Sequence, residues 1–336
     1  MTNRVKIEPT GHEFEVNNDE SVLEAAIRQG IHLPYGCRNG KCGKCLGKLV
    51  QGEVSYNEKP SALTPSDEAM GMAIFCQAHA KSDLVIESRE AQTSQDIPVL
   101  KLPCRIEELK LLNHDVMYLR LKLPETERMQ FLAGQYIDFL IEEGKHRSFS
   151  IANAPHNDEF IELHIRHITE GKFTTEVFAR MKVKDMFRIE GPHGNFYIRE
   201  KSKRPMIFMA GGTGFAPIKG MVEHALKTEI NRPIHIFWGA HAKEDLYMND
   251  IAVAFTKQNP LIRYTPVLSG AKEDDNWQGR TGYVHEAILK DYPDLTAYEV
   301  YAAGPPAMVY AAEDAFAAAG LTKENYISDA FEFSKD

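Results

Sequence analysis

The sequence predicts a multidomain chain in three segments of different class: a small α+β unit, an antiparallel β-barrel, and an α/β unit with a doubly wound parallel sheet. Three observations carry this. Residues 1–90 combine short alternating strand patterns with one capped helix, residues 101–201 hold repeated period-two strands, and residues 202–336 alternate strand and helix. A polar, unperiodic stretch, "SREAQTSQDIP", supplies a linker over 91–100. With 336 residues there is length for two or three cores of roughly 100 to 150 residues each.

In the first segment, "RVKIEP" and "EFEV" place Val5, Ile7, Phe14 and Val16 on one face across a turn at Thr10-Gly11, a hairpin signal. Ser21-x-x-Glu24 is a capping box; Leu23, Ala26 and Ile27 form one apolar helix face, and Gly30 stops the helix. "LGKLV" and "DLVIES" read as strands. In the second segment the alternation runs through Met117, Leu119, Leu121 and Leu123, then Ile137, Phe139 and Ile141, then Ile161, Leu163 and Ile165. In the third, "PMIFMA" leads into a helix with Ile218, Met221, Val222, Ala225 and Leu226 on one face. "IHIFWG", "YTPVLSG" and "EVYAAG" each precede a helical stretch.

Composition narrows the function. Apolar residues make up 43% and charged residues 26%, an ordinary globular balance without the signature of disorder. The net charge of -9 has the wrong sign for a nucleic-acid footprint and points to a small-molecule or protein partner. The opening "MTNRVKIEPTGHEFEV" lacks the apolar run of a signal peptide, and no window approaches the ~18 apolar residues of a bilayer span. A cytoplasmic protein is expected. In a reducing compartment five cysteines are ligands or redox groups, not a disulfide framework; Cys104, alone in "LPCRIEEL", reads as a buried structural thiol.

The other four cysteines are patterned. Cys37, Cys42 and Cys45 have C-x4-C-x2-C spacing, with Cys76 about thirty residues on, the plant-type arrangement for a 2Fe-2S cluster. Gly36, Gly40 and Gly43 allow positive φ and bring backbone N–H groups to the sulfurs. Structural zinc is the alternative, but it favours paired C-x2-C knuckles and this chain has one.

"CRNGKCGKC" with the later "FCQAHAKSDL", followed by a barrel and a doubly wound segment, resembles the modular NAD(P)H-dependent ferredoxin reductases that carry an iron-sulfur domain at the N-terminus. The resemblance extends over nearly the whole chain. The family includes the reductases of CDP-6-deoxyhexulose 3-dehydrase systems and of phenol and related multicomponent monooxygenases, and the chain resembles the deoxysugar group most. It implies a β-grasp ferredoxin domain, an FAD-binding barrel and a nicotinamide-binding doubly wound domain.

The same resemblance implies site residues. "HRSFSIANAP" is similar to the R-x-[YF]-[ST] flavin signature: Arg147 would hold a flavin phosphate, Phe149 would lie along the ring or ribityl chain, and Ser150 would hydrogen-bond the flavin N5. Phe149 stands where many relatives carry Tyr, which removes a phenolic hydrogen bond. In "EGKFTTEVF", Gly171 and Thr174 open a helix whose N-terminus suits a diphosphate, favouring FAD over FMN; a plain turn and cap is the other reading. "MAGGTGFAPIKGM" resembles the nicotinamide loop through Gly211, Gly212, Thr213 and Gly214, with Pro217 excluding an ordinary G-x-G-x-x-G dinucleotide fold. "YAAGPPAM" resembles the second nicotinamide segment through Gly304 and Met308, with Ala303 where a Cys often contacts the nicotinamide. In the closing "SDAFEF", Phe331 is the aromatic that would approach the flavin, with Glu332 a second candidate. His193, His241 and His285 lack ligand-like spacing and read as surface or structural.

Together these imply an oxidoreductase that passes electrons from NAD(P)H through FAD and a 2Fe-2S cluster to a partner enzyme, a dehydrase or an oxygenase component. A redox-sensing regulator is the reading from another class, and two complete nicotinamide segments argue against it. In "AHAKEDLY" Lys243 can meet a 2'-phosphate, whereas Glu244 or Asp245 can meet a ribose hydroxyl; analogy favours NADH. Arg38, Lys41, Lys44 and Lys48 crowd the cluster loop with no acid between Gly36 and Gly52, which predicts that an acidic partner docks there.

Overall fold

The computed structural model describes residues 2–35, 37–88, 96–141, 145–271 and 276–331. Gly36, Glu332 and the first half of the expected linker, 91–95, lie outside the described residues. The three predicted classes are all present.

In the first unit, β1 (Thr2–Glu8) and β2 (Glu13–Asn17) form the hairpin, with Val5 opposite Phe14 and Gly11 at φ +75° in the turn. The capping box starts α1 (Val22–Arg28): Ser21 Oγ accepts from Glu24 N at 3.2 Å, and the Glu24 carboxylate accepts from Ser21 N at 2.8 Å. Leu23, Ala25, Ala26 and Ile27 are buried in the core. There follow β3 (Leu46–Gln51), β4 (Val54–Ser55), α2 (Pro65–Ala69), β5 (Met72–Ile74), β6 (His79–Ala80) and β7 (Leu84–Glu87). The sheet order β2-β1-β7-β3-β5, with β1 and β7 parallel at its centre, is a β-grasp.

The barrel is built from β8 (Leu100–Leu111), β9 (Val116–Lys122), β10 (Tyr136–Leu140), β11 (His146–Ser150), β12 (Phe160–Arg166) and β13 (Met186–His193), with α3 (Lys172–Ala179) between the last two strands. Its strands are ordered β11-β10-β13-β8-β9-β12, and an antiparallel bridge between Ile151 and Leu163 joins the two ends. Closure removes the exposed edges that an open sheet would leave. The alternating residues read from the sequence, among them Leu119, Leu121, Ile137, Phe139, Ile161, Leu163 and Ile165, fill the interior.

The third unit runs β14 (Met206–Gly211), α4 (Phe215–Lys227), β15 (Ile234–Ala240), α5 (Asn249–Gln258), β16 (Ile262–Leu268), β17 (Arg280–Thr281), α6 (Val284–Asp291), β18 (Glu299–Gly304), α7 (Pro306–Ala318) and β19 (Tyr326–Ala330). All pairings are parallel, in the order β17-β16-β15-β14-β18-β19. The order reverses at β14, which opens the crevice at the carboxyl ends of β14 and β18 where doubly wound sheets bind ligands.

β12 has two buried faces, and this joins the barrel to the α/β unit. Ile161, Leu163 and Ile165 point into the barrel, while Glu162, His164 and Arg166 meet the other unit. Lys219 of α4 donates to Ala152 O (3.1 Å), Glu162 Oε2 (3.3 Å) and Glu223 Oε1 (2.7 Å). His164 Nδ1 lies 3.0 Å from the Tyr247 hydroxyl, and burial, helped by the Lys219 charge, lowers the imidazole to about 3, so it is neutral. Because Lys219 is buried, Lys219→Ala leaves Glu162 and Glu223 without their shared cation. We expect a loss of about 3 kcal/mol, read as a lower urea midpoint for the barrel and α/β units.

Candidate functional site

The cysteine loop leaves α1 and returns through β3, and Cys76 follows β5, so the sheet brings all four sulfurs to one end of the β-grasp. They are arranged as two pairs. Cys37 N donates to Cys42 Sγ at 3.3 Å and Cys42 N to Cys37 Sγ at 3.4 Å, while the Cys45 and Cys76 thiols face each other. Among the described residues, no three of these sulfurs lie within 4.8 Å of one another. A single tetrahedral zinc with bonds of about 2.3 Å would hold all four closer than that. Two pairs suit two metal ions.

Backbone donors surround the sulfurs. For Cys45, the hydrogen bond from Cys76 outweighs the opposing effect of burial, N–H groups of Cys76, Cys45 and Phe75 add to it, and the thiol falls to about 7. Burial works to raise Cys37, but N–H groups of Asn39, Lys41 and Cys42 together with the Cys42 thiol lower it. Gly40 and Gly43 take φ +76° and +74°, as the loop reading requires. Arg38 also has positive φ, +58°, which the sequence did not announce. Cys104 is buried and unrelated to this site, its thiol pushed up to about 12 by burial.

Of the four basic residues assigned to partner docking, two are already used within the chain. Arg38 pairs with Asp158 of the barrel at 2.6 Å, and Lys44 pairs with Glu127. Lys41 and Lys48 are exposed. The cluster loop packs on the barrel, which a charge count along the loop cannot show.

A cavity of about 520 Å³ lies between the barrel and the α/β unit. Arg147, Phe149 and Ser150 reach it from β11, and Gly171 and Thr174 from the start of α3. Gly211 enters from the end of β14, Thr213 from the loop after it, and Phe331 from just beyond β19. Phe149 is held by Phe139 and Phe173 at ring distances of 5.9 and 5.7 Å. Thr174 is one turn into α3 and is not its cap; its Oγ1 accepts from Ile168 N (3.1 Å) and so tightens the loop around Gly171.

Four predicted residues stand behind the cavity wall. A Cβ on Gly214 would lie 2.0 Å from Ala303 O, and one on Gly304 would lie 2.8 Å from Gly211 O. Met308 fills the space beside Gly211, where an added Cβ would meet its Sδ at 2.5 Å. Gly214, Gly304 and Met308 thus let the two loops cross at the switch point, and Ala303 is buried beneath them. Gly212, at φ +52°, faces Arg166. Gly214 and Gly304 meet the facing loop backbone to backbone, and the Met308 side chain packs on Gly211.

Asp329 and Arg166 are among the cavity residues that escaped the sequence reading. Asp329, at the end of β19, lies 3.4 Å from Ser150 Oγ; burial raises its carboxyl to about 6, against the lowering effect of the Ser150 bond. Arg166 lines the cavity with its Nε on Asp115 at 2.6 Å. An aspartate in "SDAFEF" and an arginine ending a strand carry no signal until the domains are placed.

Three family models match the chain in order: the 2Fe-2S iron-sulfur cluster binding domain over 5–81, the oxidoreductase FAD-binding domain over 103–198 and the oxidoreductase NAD-binding domain over 208–314. Over 335 residues the chain is 41% identical to the CDP-6-deoxy-L-threo-D-glycero-4-hexulose-3-dehydrase reductase of Yersinia pestis, covering 100% of both chains. The chain belongs to the modular iron-sulfur flavoprotein reductases. This NAD(P)H reductase family also includes the phenol hydroxylase P5 protein of Acinetobacter pittii, 35% identical over 92% of this chain and 88% of that one. Among solved structures, the cytochrome P450 reductase of Amycolatopsis is similar with a TM-score of 0.66 at 28% identity, over 98% of this chain and 99% of that one. As in that family, the chain is an oxidoreductase with 2Fe-2S, FAD and NAD(P) domains, and the regulator reading falls away. Among the described residues no helix is long and apolar enough to cross a membrane.

Asp329 gives a pH prediction. Its folded-state value, raised from 3.8 to about 6, means the folded form holds its proton more tightly, so stability is lost as pH rises through that window. Asp329→Asn removes the loss. In flavin-free protein its stability should exceed the parent's above pH 6 by up to about 3 kcal/mol and match it below pH 4, as read by urea titrations at both pH values.

Proposed function

We propose that this reductase carries electrons from NADH through FAD and the cluster to a CDP-6-deoxyhexulose 3-dehydrase-type enzyme, with the residues named here as its site. The observation that carries the reading is the single cavity into which the barrel presents Ser150, Phe149 and Arg147 and the α/β unit presents Thr213, Asp329 and Phe331. When bound, the flavin takes hydride from the nicotinamide and gives electrons singly to the cluster, so the cofactors carry the redox chemistry. The chain positions and protonates. Arg147 and the N–H groups opening α3 suit phosphate oxygens. Phe149 offers an aromatic face to the ring system, and Ser150 offers a hydroxyl backed by a carboxyl that gains and loses its proton near neutrality, which can supply or take a proton at Ser150 Oγ. Cys37 with Cys42 would hold one iron, and Cys45 with Cys76 the other.

At the loop after β15, Asp245 is committed to the Ala242 N–H at 2.8 Å, which leaves the exposed Glu244 carboxylate to meet a ribose hydroxyl and the exposed Lys243 to meet a 2'-phosphate, so the choice of NADH rests on analogy with the deoxysugar reductases. The domain limits we adopt are 1–90, 101–201 and 202–336 around the 91–100 linker. Docking of an acidic partner would use the exposed Lys41, next to the exposed Cys42, with Lys48 on β3.

The test is anaerobic titration with NADH, then NADPH, followed by addition of a CDP-6-deoxyhexulose 3-dehydrase with its substrate. Flavin and cluster absorption should both bleach, NADH should act faster, and dehydrated sugar product should accumulate; product only with an oxygenase component would move the acceptor to that class. Ser150→Ala should slow flavin reduction about 100-fold while FAD stays bound, measured by stopped-flow absorbance. Electron delivery to the acceptor should weaken with added salt, and Lys41→Gln with Lys48→Gln should flatten that dependence.

A further inference from the structure

We propose that the ion triad Arg38–Asp158–Arg128 locks the cluster loop onto the flavin barrel in the orientation that transfers electrons, which makes Arg38 and Asp158 positioning residues for the flavin-to-cluster step. The inference rests on the proposed function. Asp158 is fully buried, and its Oδ1 accepts from Arg38 at 2.6 Å and from Arg128 at 2.8 Å. Arg38 follows the cluster cysteine Cys37 directly, and its side chain is only 16% exposed.

Two features fix the Arg38 backbone at this point. Its backbone sits at φ +58°, a region that favours glycine, yet the position keeps a long side chain whose guanidinium ends in the triad. Gln77 Nε2 donates to both Arg38 O (3.0 Å) and Cys76 O (2.9 Å), so the residue is tied to two of the cysteine segments.

On the barrel side, the turn bearing Asp158 is fixed to the flavin strand. Asn153 Nδ2 donates to Asn157 O (2.7 Å) and Phe160 O (2.9 Å), and Asn153 lies three residues beyond Ser150. A continuous set of contacts therefore runs from Cys37 through Arg38, Asp158 and Asn153 to the strand that ends in Ser150. Around the triad, Asn39 Nδ2 donates to Glu125 O at 3.3 Å and Gln130 Nε2 to Leu33 O at 3.2 Å. These neutral contacts and the half-exposed Lys44–Glu127 pair can be exchanged with water at small cost, whereas opening takes a buried guanidinium from the buried Asp158 and leaves Arg128 as its remaining cation, so the triad resists domain opening.

The test is anaerobic rapid mixing of the holoprotein with NADH, comparing the parent with Arg38→Met, Asp158→Asn and Arg38→Lys. Flavin bleaching should keep its rate, while cluster bleaching should slow roughly tenfold or more in the first two variants. Arg38→Lys should restore part of the rate, because an ammonium keeps the charge without the planar fork. Turnover with ferricyanide, which takes electrons from the flavin, should be unchanged, cytochrome c turnover through the cluster should fall, and small-angle X-ray scattering should show a larger radius of gyration. Should Asp158→Asn not fold, Arg38→Met still decides the matter, since it leaves Asp158 paired with Arg128. Cluster bleaching in step with the parent and an unchanged radius of gyration would overturn the lock. If the parent itself never bleaches its cluster, the electron-relay reading fails first, and the lock with it.

Discussion

The antiparallel bridge between Ile151 and Leu163 is the contact on which the rest of the molecule turns. It closes the barrel over one face of β12, while the α/β unit packs against the other. One face fills the barrel with Ile161, Leu163 and Ile165. The other presents Glu162, His164 and Arg166 to the α/β unit, where the buried Lys219 is shared between Glu162, Glu223 and Ala152 O. Because a strand's side chains alternate, the register that seals the barrel also aims the polar row outward.

The segment from Ser150 to Arg166 consequently reaches every other part of the chain. Ser150 meets Asp329 from β19, Asp158 meets Arg38 of the cysteine loop, and Arg166 faces Gly212 of the loop after β14. A relay from a two-electron donor to a one-electron centre needs its parts held at fixed separation, since misplacement by an ångström is costly in rate. Concentrating the inter-domain contacts on one short stretch ties donor loop, flavin cavity and cluster loop to a common frame.

The two glycine-rich loops serve that frame in a way different from a simple phosphate cradle. At the switch point the turns leaving β14 and β18 pack so closely that Gly214 and Gly304 have no room for a Cβ. Gly211 and Thr213 still line the cavity, so crossing and ligand binding are divided among neighbouring positions. Glycine here is selected by backbone meeting backbone, a requirement that looks the same in sequence as a requirement for a ligand's approach.

The sequence by itself determined what local rules can fix: the capped helix, the alternating strands of the barrel, the strand-helix rhythm of the third unit, and the cysteine spacing that names the cluster. Each rests on periodicity or spacing within one segment, and each is present in the structure. Tertiary structure alone decided the rest. Arg38 reads as a surface cation along the chain and becomes part of a buried triad because its partner lies 120 residues away. Asp329 is an ordinary acid until strand packing removes its water and sets it against Ser150, 179 residues distant. Charge state and partnership depend on what desolvates a group, and desolvation is a property of the packed domains, which no local pattern encodes.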